Sequence, residues 1–264
     1  MKLYRYRGMT SKDLARTFTH CELYFTSPTQ FNDPFDCNPP FSITDYSEND
    51  LRDYTQETFR RNFPGISDPE LKGKTEKSVA SILRNYSSVS HFAEHFNRIC
   101  LEVNSEIGVL CLSEKPDDIL MWSHYGDCHR GIVLQFDKSE LNKSGFNYCQ
   151  KVDYENNIVT LKDMNINRTN PLKLAELVLL KKAAHWKYEE EWRIIVDPSL
   201  NDIPGCRIYK FPKEVLTGVI FGCKMAPEDK NAVHTWLKAG NHQALIYQAI
   251  RETSAYSLKI DPPL

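Results

Sequence analysis

Tyr188-Glu189-Glu190-Glu191-Trp192-Arg193-Ile194-Ile195-Val196 alternates polar and apolar residues as a half-buried β-strand does. With a period of two, Glu189, Glu191 and Arg193 project to one face, while Glu190, Trp192 and Ile194 project to the other. One face becomes a line of charge. Two carboxylates two residues apart repel, which together with partial burial raises one pKa, and Arg193 opposes this by favouring the ionised forms. Such a pair can bind hydroxyls or act as acid and base. The same pattern also suits a solvated strand face carrying a cross-strand salt bridge.

Strand signals flank this stretch on both sides. Residues 2–7 form a short aromatic strand, a helix starts at Thr10-Ser-Lys-Asp13 and runs to about His20, and Glu22 to Thr26 is a second strand. The turn-rich run Gln30-Phe-Asn-Asp-Pro-Phe-Asp36 follows. Strands are expected at Gly108–Leu112, Ile132–Asp137, Phe146–Tyr154, Arg207–Phe211, Leu216–Phe221, Ala244–Arg251 and Tyr256–Ile260. Helices are expected around Asp118–Tyr125, from Asn170-Pro171 to about Ala184, and over Pro227–Lys238. Between about residues 44 and 105 the chain is polar and helix-forming. Apolar residues there fall at helical spacing, at Val79, Ile82, Leu83 and Tyr86 and again at Val89, Phe92, Phe96, Ile99 and Val103. Strands next to strands, with helices in blocks, give an α+β fold with mixed or antiparallel sheets: one domain over 1–264 with a helical insertion at about 44–105.

Composition narrows the class. At 264 residues with 41% hydrophobic and 26% charged content, the chain can bury one sizeable core, which excludes disordered and fibrous classes. A formal net charge of −2 gives no global basic field for a polyanion, although a local basic groove remains open. Neither a signal-peptide pattern nor an apolar run of bilayer length is present, so a cytoplasmic protein with no membrane contact is expected. Eight cysteines without a C-x-x-C pair suit reduced thiols, and no metal site is expected. The glycine patterns of Rossmann and P-loop phosphate sites are missing.

Two other segments are dense in functional side chains. Met121-Trp122-Ser123-His124-Tyr125 leads into Gly126-Asp-Cys-His-Arg130-Gly131. His124 and Tyr125 offer hydrogen-bonding groups beside a turn, Arg130 can clamp a phosphate or carboxylate, and Trp122 suits a core anchor. Ser27-Pro-Thr-Gln-Phe-Asn32-Asp33-Pro-Phe-Asp36 presents a polar loop directly after a strand, where Asn32 and Asp33 also serve the turn.

Taken in order, Leu3-Tyr-Arg-Tyr6, Leu23-Tyr-Phe-Thr-Ser-Pro28, Phe31-Asn-Asp-Pro-Phe-Asp36, Met121-Trp-Ser-His-Tyr125, Gly131-Ile-Val-Leu-Gln-Phe136 and Tyr188-Glu-Glu-Glu-Trp-Arg193 resemble the bacterial DUF2971 family. More distantly, an early strand with a polar residue, a strand ending in serine and a late strand with glutamate resemble the ADP-ribosyltransferase plan. That resemblance implies a sheet of that type and NAD as substrate. Arg5 would anchor NAD, Ser27 would line the nicotinamide pocket, and Glu191 would engage the ribose, with Glu189 completing an E-x-E pattern. Tyr6, Trp122 or Tyr125 would stack on nicotinamide, Arg5 or Arg130 would hold the pyrophosphate, and Asn32, Asp33 and His124 would complete the binding set. It implies a transferase or NAD glycohydrolase, of the kind found in toxins and phage-defence effectors, with the protein or nucleic-acid acceptor undefined. Two other readings are a Mg²⁺ nuclease using Asp33, Asp36, Glu189 and Glu191, and a noncatalytic module whose helical insertion docks a partner protein.

Overall fold

The computed structural model describes residues 1–42, 47–85, 98, 100–102, 104–146, 149–160, 163, 176–198 and 205–263. The chain divides into two compact units. The first comprises residues 1–31, 105–154 and 183–264, and the second comprises residues 32–104 and 155–182.

The first unit is built on strands β1 (Lys2–Arg7), β2 (Glu22–Tyr24), β4 (Gly108–Ser113), β5 (Ile132–Asp137), β6 (Cys149–Lys151), β7 (Asp153–Tyr154), β10 (Glu191–Val196), β11 (Ile208–Lys210), β12 (Leu216–Phe221), β13 (Leu245–Arg251) and β14 (Leu258–Ile260). Eight of them form one sheet in the order β14-β13-β12-β5-β1-β4-β10-β6. β12 and β13 run parallel and the other pairs antiparallel, so the fold is α+β with a large mixed sheet. The late strand β10 pairs with β4 in a continuous register from Glu191 opposite Ser113 to Val196 opposite Gly108.

The two faces of this sheet carry different cores, as strand alternation requires. Leu3, Leu112, Leu134, Phe136, Ile194 and Val219 belong to one cluster, covered by α1 (Leu14–Thr19) through Leu14 and Phe18 and by α6 (Pro227–Ala239) through Val233 and Leu237. Tyr6, Val133, Ile220 and Ala249 belong to the other, where Met121 and Trp122 of α4 (Ile119–His124) close over them. Asp118 caps α4, accepting the backbone N–H groups of Leu120 and Met121 at 2.9 Å each.

In the second unit, α2 (Glu48–Asn62) opens on a full capping box between Ser47 and Asp50, and α3 (Asp68–Asn85) has its buried side at Leu71, Thr75 and Val79. β3 (Phe41–Ser42) and β8 (Val159–Thr160) pair in parallel. β9 is Lys181–Lys182. α5, in the first unit, is Lys138–Lys143.

Several boundaries differ from the sequence reading. Leu83 is half exposed rather than part of the buried stripe: it continues the four-residue spacing of Leu71, Thr75 and Val79, but the buried run ends one turn earlier, at Val79. Tyr86, Val89, Phe92, Phe96, Ile99 and Val103 lie outside the described residues. The helix expected from Thr10 starts only at Leu14, and the Asp13 side chain before it makes no capping bond but forms an ion pair with Arg7. The helix expected to run to Ala184 ends at Leu179 among the described residues, followed by β9 and a 3₁₀ turn over Ala184–Glu189. No described helix is long and apolar enough to cross a membrane. No disulfide joins any of the eight cysteines, all of which are described.

Candidate functional site

The three acids do not share a strand. Glu189 ends the 3₁₀ turn, Glu190 takes a left-handed conformation at φ +42°, and β10 begins only at Glu191. The turn breaks the expected alternation, yet it leaves both Glu189 and Glu191 buried beside the end of β4.

Ser113 is the meeting point. It faces Glu191 in the β4–β10 register and Tyr4 in the β4–β1 register, and its hydroxyl donates to the Glu189 carbonyl at 2.6 Å. The Lys115 backbone N–H donates in turn to the Ser113 hydroxyl at 3.0 Å. On the other side of the turn, the Glu191 backbone N–H donates to the Tyr154 hydroxyl at 2.8 Å. The backbone that presents the two acids is thus fixed from both ends.

The carboxylates sit in different settings. Arg193 grips Glu191 with two parallel bonds, Nε to Oε1 at 2.7 Å and Nη2 to Oε2 at 3.0 Å, and neither side chain has appreciable solvent contact. A bidentate guanidinium in a water-poor site holds its carboxylate ionised and oriented. The Arg193 guanidinium also lies 5.7 Å from the centre of the Phe31 ring. Glu189 accepts from the Tyr125 hydroxyl, Oη to Oε1 at 2.8 Å, a neutral donor from the C-terminal end of α4.

The remaining sequence candidates are distributed unevenly. His124 is exposed on α4, its ring 6.1 Å from Tyr125 and 6.5 Å from Trp186, so it borders the Tyr125–Glu189 contact. Arg130 is exposed on the following turn. Trp122 is wholly buried and donates Nε1 to the Pro116 carbonyl at 2.8 Å. Tyr6 is buried edge-on to Trp122 with ring centres 5.3 Å apart and donates its hydroxyl to the Lys115 carbonyl at 2.7 Å; burial pushes its phenol pKa up. Both aromatics belong to the core of this face and present no open ring for stacking. Ser27 is buried and caps the 3₁₀ turn Pro28–Gln30, its hydroxyl 2.8 Å from that of Thr29. Asn32 and Asp33 belong to the second unit, where Asn32 is exposed and Asp33 accepts the Phe35 N–H at 2.9 Å in a local turn.

Arg5 does not join the acids. Tyr4 shares a sheet face with Glu191 through Ser113, and Arg5, the next residue on β1, points to the opposite face. There its Nη2 donates to the Tyr24 carbonyl at 2.9 Å, tying β1 to β2. Burial lowers the guanidinium pKa to about 9, which leaves it charged at neutral pH.

Sequence reading left out Ser113 and Tyr154. A serine ending an apolar strand, Gly108–Ser113, was the available signal for the first; nothing local marks the second.

A single contiguous segment supplies the Tyr125–Glu189 contact and the Glu191–Arg193 pair. Residues 121–194 match DUF2971, described as a protein of unknown function. The DUF2971 segment runs from Met121 on α4 to Ile194 on β10, so it carries all four of these side chains, while Ser113 and the resembling motifs before residue 121 lie outside it. Neither curated proteins nor solved structures give a match.

Proposed function

We propose that the chain cleaves the nicotinamide–ribose bond of NAD, as an ADP-ribosyltransferase or NAD glycohydrolase, with Glu191 and Glu189 as its carboxylates. One observation supports this above the others: two acids two residues apart are buried together, Glu191 in a bidentate pair with Arg193 and Glu189 accepting from the Tyr125 phenol. Divergent environments are how two carboxylates acquire different roles. Bond cleavage develops positive charge on the ribose, and a carboxylate fixed in its ionised form stabilises that charge more in the transition state than in the ground state. Glu191 takes this role. Glu189, with a hydrogen-bonding neighbour in Tyr125, orients or deprotonates the acceptor.

Arg5 has no part in this version, and neither Tyr6 nor Trp122 stacks on nicotinamide. Tyr125 and His124 are the remaining aromatic wall, and the exposed Arg130 is the remaining candidate for the pyrophosphate. The Mg²⁺ reading is weaker because its acids are already engaged: Asp36 pairs with Lys182 at 3.1 Å inside the second unit, and Glu191 pairs with Arg193.

The test is nicotinamide release from NAD by the purified chain. Glu191→Gln and Glu189→Gln should each lower it by about 100-fold or more, with thermal melting followed in parallel because Glu191→Gln removes the charge from a buried bidentate pair. Tyr125→Phe, which keeps the ring, should lower release by less. No release from the wild-type chain, or equal release from folded glutamine variants, overturns the reading and favours a noncatalytic recognition module.

A further inference from the structure

On the sheet face covered by α4, the first unit also carries a cleft of ≈ 690 Å³ between the α4 region and the β13–β14 hairpin. We propose that this cleft binds a ring-bearing organic phosphate of nucleoside-monophosphate size. The inference is independent of the NAD reading, since none of the residues assigned to that chemistry lines the cleft.

Charge selects the ligand's sign. Lys224 and Arg251 line the cleft, and neither forms an ion pair among the described residues. Glu252 is the acid among the lining residues, so the wall is net positive. Thr253, Ser254 and Ser257 at the hairpin tip add hydroxyls. Two cations with surrounding hydroxyls match a tetrahedral dianion with several acceptor oxygens better than they match a flat monoanion.

The opposite chemistry lies at the lip. Ile119 and Leu120 are each more than two-fifths exposed, and Tyr256 is fully exposed at the hairpin tip. An aromatic ring standing in water beside a cationic cleft offers a stacking partner for a planar group. Apolar walls around a few convergent polar groups, at this volume, are the usual anatomy of a small-molecule site.

The polar floor is held rigidly at a local cost. Asp127, Cys128 and His129 are three consecutive non-glycine residues in the left-handed region, at φ +51°, +51° and +69°. Such a run costs about 1–2 kcal/mol per residue and persists where the surroundings over-determine it. Here Gly222 does so: a Cβ on it would lie 2.2 Å from the His129 carbonyl oxygen. The Lys224 N–H donates to that same carbonyl at 3.0 Å, so the lysine and the histidine are locked to one another. His129 Nε2 lies 3.2 Å from the Ser123 hydroxyl, which itself donates to the Ile119 carbonyl at 2.8 Å. The imidazole is therefore the donor in that contact, and its buried Nδ1 has no partner among the described residues.

Calorimetric titration with AMP, GMP, CMP and UMP at low ionic strength tests the assignment. Saturable binding of at least one is expected, with the matching nucleoside and inorganic phosphate each at least about tenfold weaker. Lys224→Ala and Arg251→Ala should each weaken binding about tenfold or more, and Tyr256→Ala should weaken the nucleotide while leaving inorganic phosphate unchanged. All three residues lie at the surface of the cleft, and a thermal melt confirms that each variant is folded. No saturable binding of any of the four nucleotides, or wild-type affinity in both cation variants, overturns the proposal. Nicotinamide release plays no part in these readouts, so the two readings fail separately.

Discussion

Asp137 shows how much one side chain can do at the end of a strand. It closes β5, caps α5 by accepting the Ser139 N–H at 2.9 Å and the Glu140 N–H at 3.3 Å, and pairs with Lys2 at 3.2 Å. The Ser139 hydroxyl, then Lys2 and the two N–H groups, hold its carboxyl well below the usual aspartate range. A carboxylate whose folded pKa is depressed adds stability above its unfolded value, near 4, and loses it as the pH falls towards the folded value. Asp137→Asn keeps the cap but removes the charge. The variant should melt below wild type at pH 7 by the equivalent of under about 1 kcal/mol, the site being partly exposed. The difference should shrink steadily as thermal melts are taken down through pH 4 to pH 2. At the same scale, Glu191 and Arg193 were readable as neighbours from their two-residue spacing on a strand. Arg5 was not readable, because its partner is a backbone carbonyl on β2 that leaves no trace in residue type.

At the level of elements, β10 and α4 were legible because their signals are local: apolar alternation in one, an aspartate cap in the other. The turn before β10 was not. Glu190 reaches φ +42° without a glycine or asparagine to announce it, so the strand pattern extended three residues too far and placed Glu189 in line with Glu191. The turn at Asp127–His129 was legible, but its three left-handed residues were not, for the same reason. Cys128 is exposed in the middle of that run, and glycine there removes the Cβ clash of the left-handed conformation. Cys128→Gly should raise stability by about 0.5 kcal/mol, the relief being partly offset by the greater freedom of glycine in the unfolded chain. Urea denaturation checks this, and a loss exceeding about 0.5 kcal/mol would show that the cysteine side chain packs within the turn and overturn the prediction.

Across the first unit, the sheet divides its work by face. One face packs on α1 and α6 and carries the larger core; the other supports the acids and the cleft. Phe136, wholly buried on β5, serves the first face. Phe136→Ala should cost about 3–5 kcal/mol, measured by chemical denaturation, a large share of the 5–15 kcal/mol that holds a typical protein together. The α+β class followed from strands adjacent in sequence, but the order of the sheet did not. β1 sits between β4 and β5, and β10 reaches β4 across some eighty residues, pairings chosen by packing rather than by any short-range pattern. The expectation that Arg5 and Glu191 converge failed at this scale: a register fixed by Ser113 sends consecutive residues of β1 to opposite faces.

The bidentate pair inside β10 has an evolutionary corollary. Replacing either Glu191 or Arg193 alone breaks a bidentate pair that water barely reaches, a lesion of several kcal/mol, whereas exchanging both for apolar residues of similar bulk can be almost neutral. Descendants that abandon one member should have abandoned its mate as well, so the two columns are expected to covary across homologous chains.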